Sequence, residues 1–122
     1  MEAAWWLLAV FGLWGVKDLI FSARNEDGVP LWKLVVTGAK TVTRRTKPLA
    51  VGKEFAVQPG RGKKAVCRAV VVSCEKEGLQ HCFDDEAKRE GFKSWEGLRE
   101  WLIIHNPNGV PFYRIEFKVL KT

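Results

Sequence analysis

The chain has 122 residues, 47% of them hydrophobic and 28% charged, with a formal net charge of +6. This length allows one domain with one hydrophobic core, and the composition is that of a folded globular protein, which argues against disorder over most of the length. We expect one domain over residues 18–122, after an apolar extension over residues 1–17.

The three cysteines, Cys67, Cys74 and Cys82, have no C-x-x-C spacing, so we expect neither a disulfide framework nor a metal site. A reducing, cytoplasmic setting is the simpler interpretation.

The N-terminal extension is apolar and rich in tryptophan. Its uncharged run from Ala3 to Val16 has 14 residues, whereas a membrane-spanning helix needs roughly 18–20. The extension also lacks the basic start and the cleavage site of a signal peptide. Three interpretations stay open: packing on the domain, contact with a membrane surface, or an extension of the coding frame that is not native.

The domain begins with a short apolar run. Asp18–Ala23 is suited to a buried first strand, and residues 25–30 have the composition of a loop. Leu31–Val36 has helical apolar spacing, and Gly38 stands where a left-handed glycine ends a helix. The threonine-rich stretch Thr41–Thr46 predicts the second strand.

Three more strands and two helices complete the predicted order. The strands are Glu54–Val57, the valine-rich Ala65–Ser73 and the alternating Phe112–Leu120; one helix covers Asp84–Glu90 and the next follows Ser94 as its N-cap. An order of strand, helix, three strands, two short helices and a final strand predicts an α+β fold. We expect a small mixed or antiparallel β-barrel with short helices closing its mouth.

Positive charge is concentrated in the middle of the chain. Nine basic residues and one acid lie between Lys40 and Arg68, whereas Glu75–Glu100 holds eight acids and five bases. Such a block indicates an anionic partner, such as nucleic acid or a nucleotide, or else a solvated basic surface. The residues of this block that we consider for RNA contact are Lys47, Arg61, Lys63 and Lys64.

The segment Gly38-x-Lys40-Thr41-x-Thr43-x-Arg45, after a short apolar helix and before a strand, resembles the signature of the ASCH domain, a PUA-like small β-barrel family associated with RNA. Glu90-Gly91-Phe92, followed by a helix that begins at Ser94, is similar to the second landmark of that family. The closing stretch from Phe112 to Phe117 resembles its last strand. The resemblance covers roughly residues 18–120 and implies a PUA-like barrel.

Within that family the closest resemblance is to the small bacterial N4-acetylcytidine amidohydrolases. Those enzymes use a lysine, a threonine three residues later and a distant glutamate, which implies Lys40, Thr43 and Glu90 as catalytic residues here. The resemblance implies a metal-independent enzyme without a cofactor. Thr43 would then be the nucleophile and Lys40 its base, while Glu90 would orient Lys40 and handle a proton.

The local chemistry of the segment adds conditions to these roles. Lys40 acts as a base only if its pKa falls well below the ordinary value of ~10.4. On a strand, Arg44 and Arg45 point to opposite sides, so we expect one of them in the site and the other in solvent. Arg45 shares a side with Thr43 and is the expected anion-binding residue. Arg24, at the end of the first strand, is a further candidate for the same task.

Three functions stay open at this point: an amidohydrolase acting on N4-acetylcytidine, a non-catalytic RNA-binding module and an ASCH-type ribonuclease. The expected partner is an acylated pyrimidine nucleoside or single-stranded RNA, and the expected state is a monomer.

The residue types of the candidate site also have ordinary structural roles. Threonines are favourable in strands, and basic residues protect a sheet edge from pairing with another chain. Trp95 and Trp101 are expected to pack in the core, and His105 to cap its helix or lie on the surface.

Overall fold

The structure is a computed structural model that describes residues 18–77, 83–106 and 112–120. The predicted order of elements is confirmed. In chain order the elements are β1 (Leu19–Ile20), α1 (Leu31–Thr37), β2 (Val42–Arg45), β3 (Glu54–Gln58), β4 (Cys67–Glu77), α2 (Asp84–Arg89), α3 (Trp95–His105) and β5 (Phe112–Val119).

The predictions for residues 1–17 and for Cys82 lie outside the described residues. Within the part of the chain that is described, no helix is long and apolar enough to cross a membrane.

The five strands form one mixed sheet in the order β1-β3-β4-β5-β2, which curves into a half-barrel. β1 pairs with β3 in parallel, and the other neighbours are antiparallel. The predicted α+β class, with a small mixed sheet and a few short helices, is therefore confirmed. β2 pairs with β5 and is the last strand in this order. The chain segment that carries Lys40 and Thr43 therefore lies at one edge of the sheet.

The bounds of two strands, β1 and β4, differ most from the predicted ones. β1 has two residues, because the chain leaves the ladder after Ile20, and Arg24 forms a bridge with Pro30. β4 continues beyond the predicted Ser73 to Glu77, although its last residues are polar. Those residues pair with β5 past a bulge between Val71 and Ser73, and that pairing depends on a partner strand that local composition does not reveal.

The core lies between the concave side of the sheet and the helices. Phe117 of β5 is central to it: its ring centroid is 5.8 Å from that of Phe55 on β3 and 6.0 Å from that of Phe21, which follows β1. The helices contribute further large apolar side chains to this core, which are Leu31, Val35, Trp95, Leu98 and Leu102. Trp95 packs in the core as the sequence predicted.

The turn after α2 places Glu90 by a left-handed glycine. Gly91 has a φ of +96°, and a Cβ atom at this position would lie 3.0 Å from Leu31 Cδ2 and 3.1 Å from Leu34 Cδ1. The glycine therefore combines a conformation that side chains disfavour with a close approach of the turn to α1. This contact fixes the end of α2 against the helix that precedes Lys40.

Gly91→Ala is expected to destabilise the protein more than Gly52→Ala. Gly52 has a similar φ of +87°, but a Cβ atom there would meet nothing within 4 Å. Both substitutions carry the backbone cost of about 1–2 kcal/mol, and only Gly91→Ala must also displace two leucine methyl groups. Urea unfolding of the two variants measures the difference, and equal losses would show that the turn does not press on α1.

Candidate active site

A cavity of about 660 Å³ opens between the segment after β1, strand β2 and the C-terminal end of α3. Lys40, Thr43 and Glu90 all line it, together with Arg44 and Arg45. Lys40, Thr43 and Glu90 are only 2%, 4% and 3% exposed, so they form the floor of the cavity rather than its rim. The structure thus brings together three residues that are up to fifty positions apart in the sequence.

Lys40 is held in the short connection between α1 and β2. Its backbone N–H donates to Leu34 O at 2.9 Å. Its side-chain Nζ donates to Val42 O at 2.7 Å, to Glu90 O at 2.7 Å and to Glu90 Oε1 at 3.1 Å. An ammonium group has three hydrogens, so these three acceptors satisfy the charged form completely.

Burial lowers the pKa of Lys40 from its ordinary 10.5 to about 8. The attraction and hydrogen bond of Glu90 oppose this shift, and the positive charges of Arg45 and Arg44 add to it. A group with a pKa of about 8 is roughly 90% protonated at pH 7 and mostly neutral above pH 9. Lys40 therefore changes its charge within the pH range in which enzymes work.

Glu90 is the residue that follows the last turn of α2. Its Oε1 atom accepts from Lys40, and its Oε2 atom accepts from Arg44 Nη1 at 2.7 Å. A carboxylate at a helix C-terminus opposes the helix dipole, which costs about 0.3–1 kcal/mol. Two buried cations on the two oxygens offset this cost, because each forms a charge-assisted hydrogen bond.

Arg44 lies on the opposite side of β2 from Thr43 and is buried by α2. Its guanidinium donates to three carboxylates: Nε to Glu77 Oε1 at 2.7 Å, Nη2 to Glu86 Oε2 at 2.9 Å, and Nη1 to Glu90. Burial by itself opposes the charge, but Glu90 and Glu77 outweigh it and raise the pKa of Arg44. The expectation that one of the two adjacent arginines is exposed to solvent is wrong, because α2 covers the side of β2 that the sequence suggested was free.

Thr43 and Arg45 lie together on the side of β2 opposite to Arg44, and both line the cavity. Arg45 Nε donates to Thr43 Oγ1 at 3.2 Å, and Arg45 Nη2 donates to Ile20 O at 3.0 Å. The guanidinium also lies 4.8 Å from the centroid of the Phe21 ring. Burial lowers the pKa of Arg45, against the attraction of Glu90. Arg45 forms no ion pair within the described residues, and it lines the cavity.

The Thr43 hydroxyl keeps its own hydrogen available. Its oxygen accepts from Arg45, but no acceptor for its hydrogen occurs among the described residues. The three hydrogen bonds of Lys40 Nζ likewise go to Val42 and Glu90 and not to Thr43. In this structure the lysine is therefore bound by Glu90, and the threonine hydroxyl is oriented by an arginine that can stabilise negative charge on it.

The other basic residues that the sequence singled out lie elsewhere. Lys47 is exposed and lines the cavity. Arg24 does not line it: Arg24 Nη1 donates to Gly28 O at 2.7 Å, because the chain turns back there to the bridge with Pro30. Arg24 therefore lies outside the cavity lining, and its role in anion binding stays a prediction. The exposed residues Arg61, Lys63 and Lys64 lie on the connection between β3 and β4, outside the cavity.

Sequence reasoning missed the acids behind Arg44. Glu86 of α2 accepts from Arg44 and, through both of its oxygens, from Nε and Nη2 of Arg114 on β5. Arg44 and Arg114 are directly opposite each other in the β2–β5 ladder. Two arginines that face each other in a ladder repel unless an acidic side chain lies between them. The pairing of Arg44 with Arg114 is therefore the signal that could have pointed to a nearby acid such as Glu86.

Glu86→Gln is expected to reduce stability at pH 7 by about 1–3 kcal/mol, since it leaves Arg44 and Arg114 with a weaker acceptor. Burial by itself would raise the pKa of Glu86, but the hydrogen bonds from Arg114 and Arg44 lower it to about 2. The stabilisation is therefore present above about pH 4.5 and is lost as the pH falls from 4.5 towards 2.

Chemical unfolding of wild type and Glu86→Gln at pH 7, 4 and 3 measures this difference. The gap between the two proteins should narrow as the pH falls. A gap that stays constant over this range would show that Glu86 does not hold a depressed pKa.

The mouth of the cavity is formed by the end of α3. Trp101, His105 and Asn106 line the cavity, so Trp101 contributes to the site as well as packing against the core. The rings of Trp101 and His105 are stacked, with centroids 4.3 Å apart and planes at 24°. His105 is exposed, as predicted, but its position at the mouth depends on where α3 ends relative to β2, which helical periodicity does not define.

Metal-ligating side chains are not clustered in the described ranges, in which no group of three His, Cys, Asp or Glu could hold an ion. Cys67 and Cys74 are free thiols. The cavity floor consists of a lysine, a threonine, a glutamate and arginines, a set suited to proton transfer and to binding of negative charge.

Comparison with known proteins gives the fold. No family model matches the sequence, and no curated protein matches it. The crystal structure of an ASCH domain from Lactobacillus crispatus is similar, with a TM-score of 0.66 and 18% identity, over 85% of this chain and 79% of that one. A DUF984 protein from Enterococcus faecalis is similar with a TM-score of 0.67 and 16% identity, over 84% and 76% of the two chains. The chain therefore has the PUA-like fold of ASCH domains, as its motifs indicated.

Proposed function

We propose that this chain is an amidohydrolase that removes the acetyl group from N4-acetylcytidine to give cytidine and acetate. The observation that carries the proposal is the floor of the cavity. A threonine hydroxyl bound by an arginine lies in the same cavity as a buried lysine–glutamate pair. A binding module needs the positive charge, but it has no use for a buried lysine with a pKa of about 8.

The proposed reaction has two halves that use only groups of the protein and water. In the first half Thr43 Oγ1 attacks the acetyl carbon while its proton passes to the neutral amine of Lys40. The resulting oxyanion is stabilised by the Arg45 guanidinium. When the C–N bond breaks, the proton returns from Lys40 to the leaving N4 amine, which gives cytidine and an acetylated threonine. Water then attacks the ester, Lys40 takes its proton, and the reverse transfer releases acetate and restores the threonine.

Glu90 has two tasks in this scheme. It holds Lys40 in the charged resting state through the 3.1 Å hydrogen bond. When Lys40 loses one proton to solvent, its lone pair can turn towards Thr43 while Glu90 Oε1 accepts from one of the remaining N–H groups. The side chain of Glu90 therefore positions Lys40 in both of its protonation states.

Turnover by the purified protein tests the proposal. Incubation with N4-acetylcytidine should release cytidine and acetate in equal amounts. Chromatography of the reaction mixture measures both products. RNA binding is measured in parallel at several salt concentrations, for wild type and for a variant in which Arg61, Lys63 and Lys64 are neutralised. Absence of turnover, together with salt-sensitive RNA binding that this variant loses, would overturn the enzyme assignment in favour of an RNA-binding module.

The rate should depend on the ionisation of Lys40. Because the neutral amine is the base, kcat/KM is expected to rise about tenfold per pH unit below the pKa of about 8 and to level off above it. Between pH 6 and pH 8 the increase should be about 50-fold, because the neutral fraction of Lys40 rises from about 1% to about 50%. A pH profile of kcat/KM from pH 5.5 to 9.5 measures this, and a flat profile over that range would exclude Lys40 as the base.

A further inference from the structure

Two adjacent residues at the end of α3, His105 and Asn106, line the cavity mouth and each carries a hydrogen-bond acceptor. His105 Nδ1 is 2.9 Å from Trp101 O, and Asn106 Nδ2 is 3.1 Å from Leu102 O. A carbonyl oxygen can only accept, so the hydrogen of the neutral imidazole is on Nδ1 and the nitrogen of the amide faces the backbone. His105 Nε2 and Asn106 Oδ1 are then acceptors, and neither has a partner among the residues that the structure describes.

These acceptors are held in place before any ligand arrives. The His105 ring is stacked on Trp101, and the Trp101 ring contacts Phe92 with centroids 5.8 Å apart. Asn106 is the C-cap of α3, and its backbone N–H also donates to Leu102 O, at 3.0 Å. Such preorganisation lowers the entropy lost when a ligand binds.

The pair selects the kind of ligand group that can bind to it. Two acceptors without a donor favour a group with two donors, and they disfavour phosphate or carboxylate, which only accept. The position of His105 and Asn106 at the cavity mouth further limits which part of a ligand can reach them. Thr43 is 4% exposed at the floor, whereas His105 is exposed at the mouth. A substrate that places its acyl group at Thr43 must therefore place its most distant part at the mouth.

We propose that His105 and Asn106 form a ribose subsite, in which they accept hydrogen bonds from the vicinal 2′- and 3′-hydroxyls of the nucleoside, respectively. The inference rests on the proposed function, because the orientation of the ligand follows from the acyl group lying at Thr43. In the N4-acylated nucleoside the base joins the acyl group to the sugar, so a ribose with two neighbouring donors reaches the mouth. The site is accordingly one for ribonucleosides rather than for deoxyribonucleosides or free bases.

Binding of cytidine, the product of the proposed reaction, tests the subsite without any turnover. Isothermal titration of the wild-type protein should give an affinity for cytidine about 3- to 10-fold higher than for 2′-deoxycytidine, the change expected for one hydrogen bond at a solvent-accessible site. In His105→Phe the ring can still stack on Trp101, but both nitrogens are lost, and the preference should fall to about 1. Ile104→Ala is the control: Ile104 lies in the same helical turn, is 67% exposed and is outside the cavity, so the preference should be unchanged.

The outcomes separate the two proposals. A preference for cytidine that disappears in His105→Phe supports the ribose subsite even if N4-acetylcytidine is not hydrolysed, in which case only the amidohydrolase proposal fails. Equal affinity of the wild type for the two nucleosides overturns the subsite even if N4-acetylcytidine is hydrolysed. Absence of measurable affinity for both nucleosides overturns it as well, as does a preference that His105→Phe retains.

Discussion

Replacing Thr43 with valine is expected to reduce kcat/KM for N4-acetylcytidine by about 10³-fold or more while the protein stays folded. Valine has nearly the same shape as threonine, so the strand and its packing are preserved, but the hydroxyl that attacks the acetyl carbon is gone. The substitution also removes the acceptor of Arg45 Nε. Steady-state hydrolysis, with circular dichroism as the check on folding, measures the effect.

Thr41→Val is a matched control for this experiment. Thr41 Oγ1 accepts from Arg89 Nε at 3.2 Å, the same distance and the same donor type as in the Thr43–Arg45 contact. Thr41 precedes β2 and does not line the cavity. Both variants lose one arginine–hydroxyl hydrogen bond, with a stability loss on the order of 1 kcal/mol. Only the variant at position 43 should lose turnover.

A Thr43→Val protein that keeps more than about a tenth of wild-type kcat/KM would contradict the nucleophile assignment. Water would then attack the acetyl group directly, with Lys40 as its base, and no acetylated threonine would form. Mass spectrometry of wild type quenched during turnover separates the two routes, because only the covalent route adds an acetyl group to the peptide that contains Thr43.

Most of the fold could be predicted from the sequence because its signals are local. The alternation of β5, the Ser94 cap of α3 and Gly38 after α1 each act within a few residues, and the structure has all three features. The length of β4 could not be predicted in this way. Its polar end is a strand only because β5 pairs with it.

The candidate site follows a different rule, because its contacts are long-range. The resemblance of the motifs to ASCH proteins, and not any periodicity, suggested that Lys40 and Glu90 belong to one site. The burial of Arg44 could not be predicted, since alternation on a strand defines two sides but does not say what covers each of them. In this fold α2 covers the second side and brings Glu86 to Arg44.

Replacing Glu90 with glutamine is expected to lower the free energy of unfolding by about 3–5 kcal/mol, the loss typical when one partner of a buried ion pair is removed. Glutamine keeps the shape of glutamate, but it has one acceptor oxygen in place of two and turns an amide donor towards either Lys40 or Arg44. Arg44 retains Glu77 and Glu86, whereas Lys40 has no other acid among its described partners. Most of the loss therefore reflects the buried charge of Lys40.

Glu54→Gln is the control for an ordinary ion pair. Glu54 Oε1 is 3.5 Å from Arg68 Nε, and the two side chains are 54% and 46% exposed. Solvent screens such a pair, so its loss should change stability by no more than about 1 kcal/mol. Equal effects of Glu90→Gln and Glu54→Gln in urea unfolding would show that the Lys40–Glu90 pair is not buried in solution.

The pH dependence identifies Lys40 as the origin of the loss. Glu90 raises the pKa of Lys40, so its removal moves the folded-state pKa below the wild-type value of about 8 and further from the ordinary 10.5. In the folded variant Lys40 therefore begins to lose its proton at a lower pH than in wild type. The stability of the variant then starts to rise with pH in a range where the stability of wild type is still constant. The deficit of Glu90→Gln should therefore be larger at pH 6 than at pH 9. Adding Lys40→Met, which removes the buried charge at all pH values, should restore part of the stability at pH 6 and abolish this pH dependence.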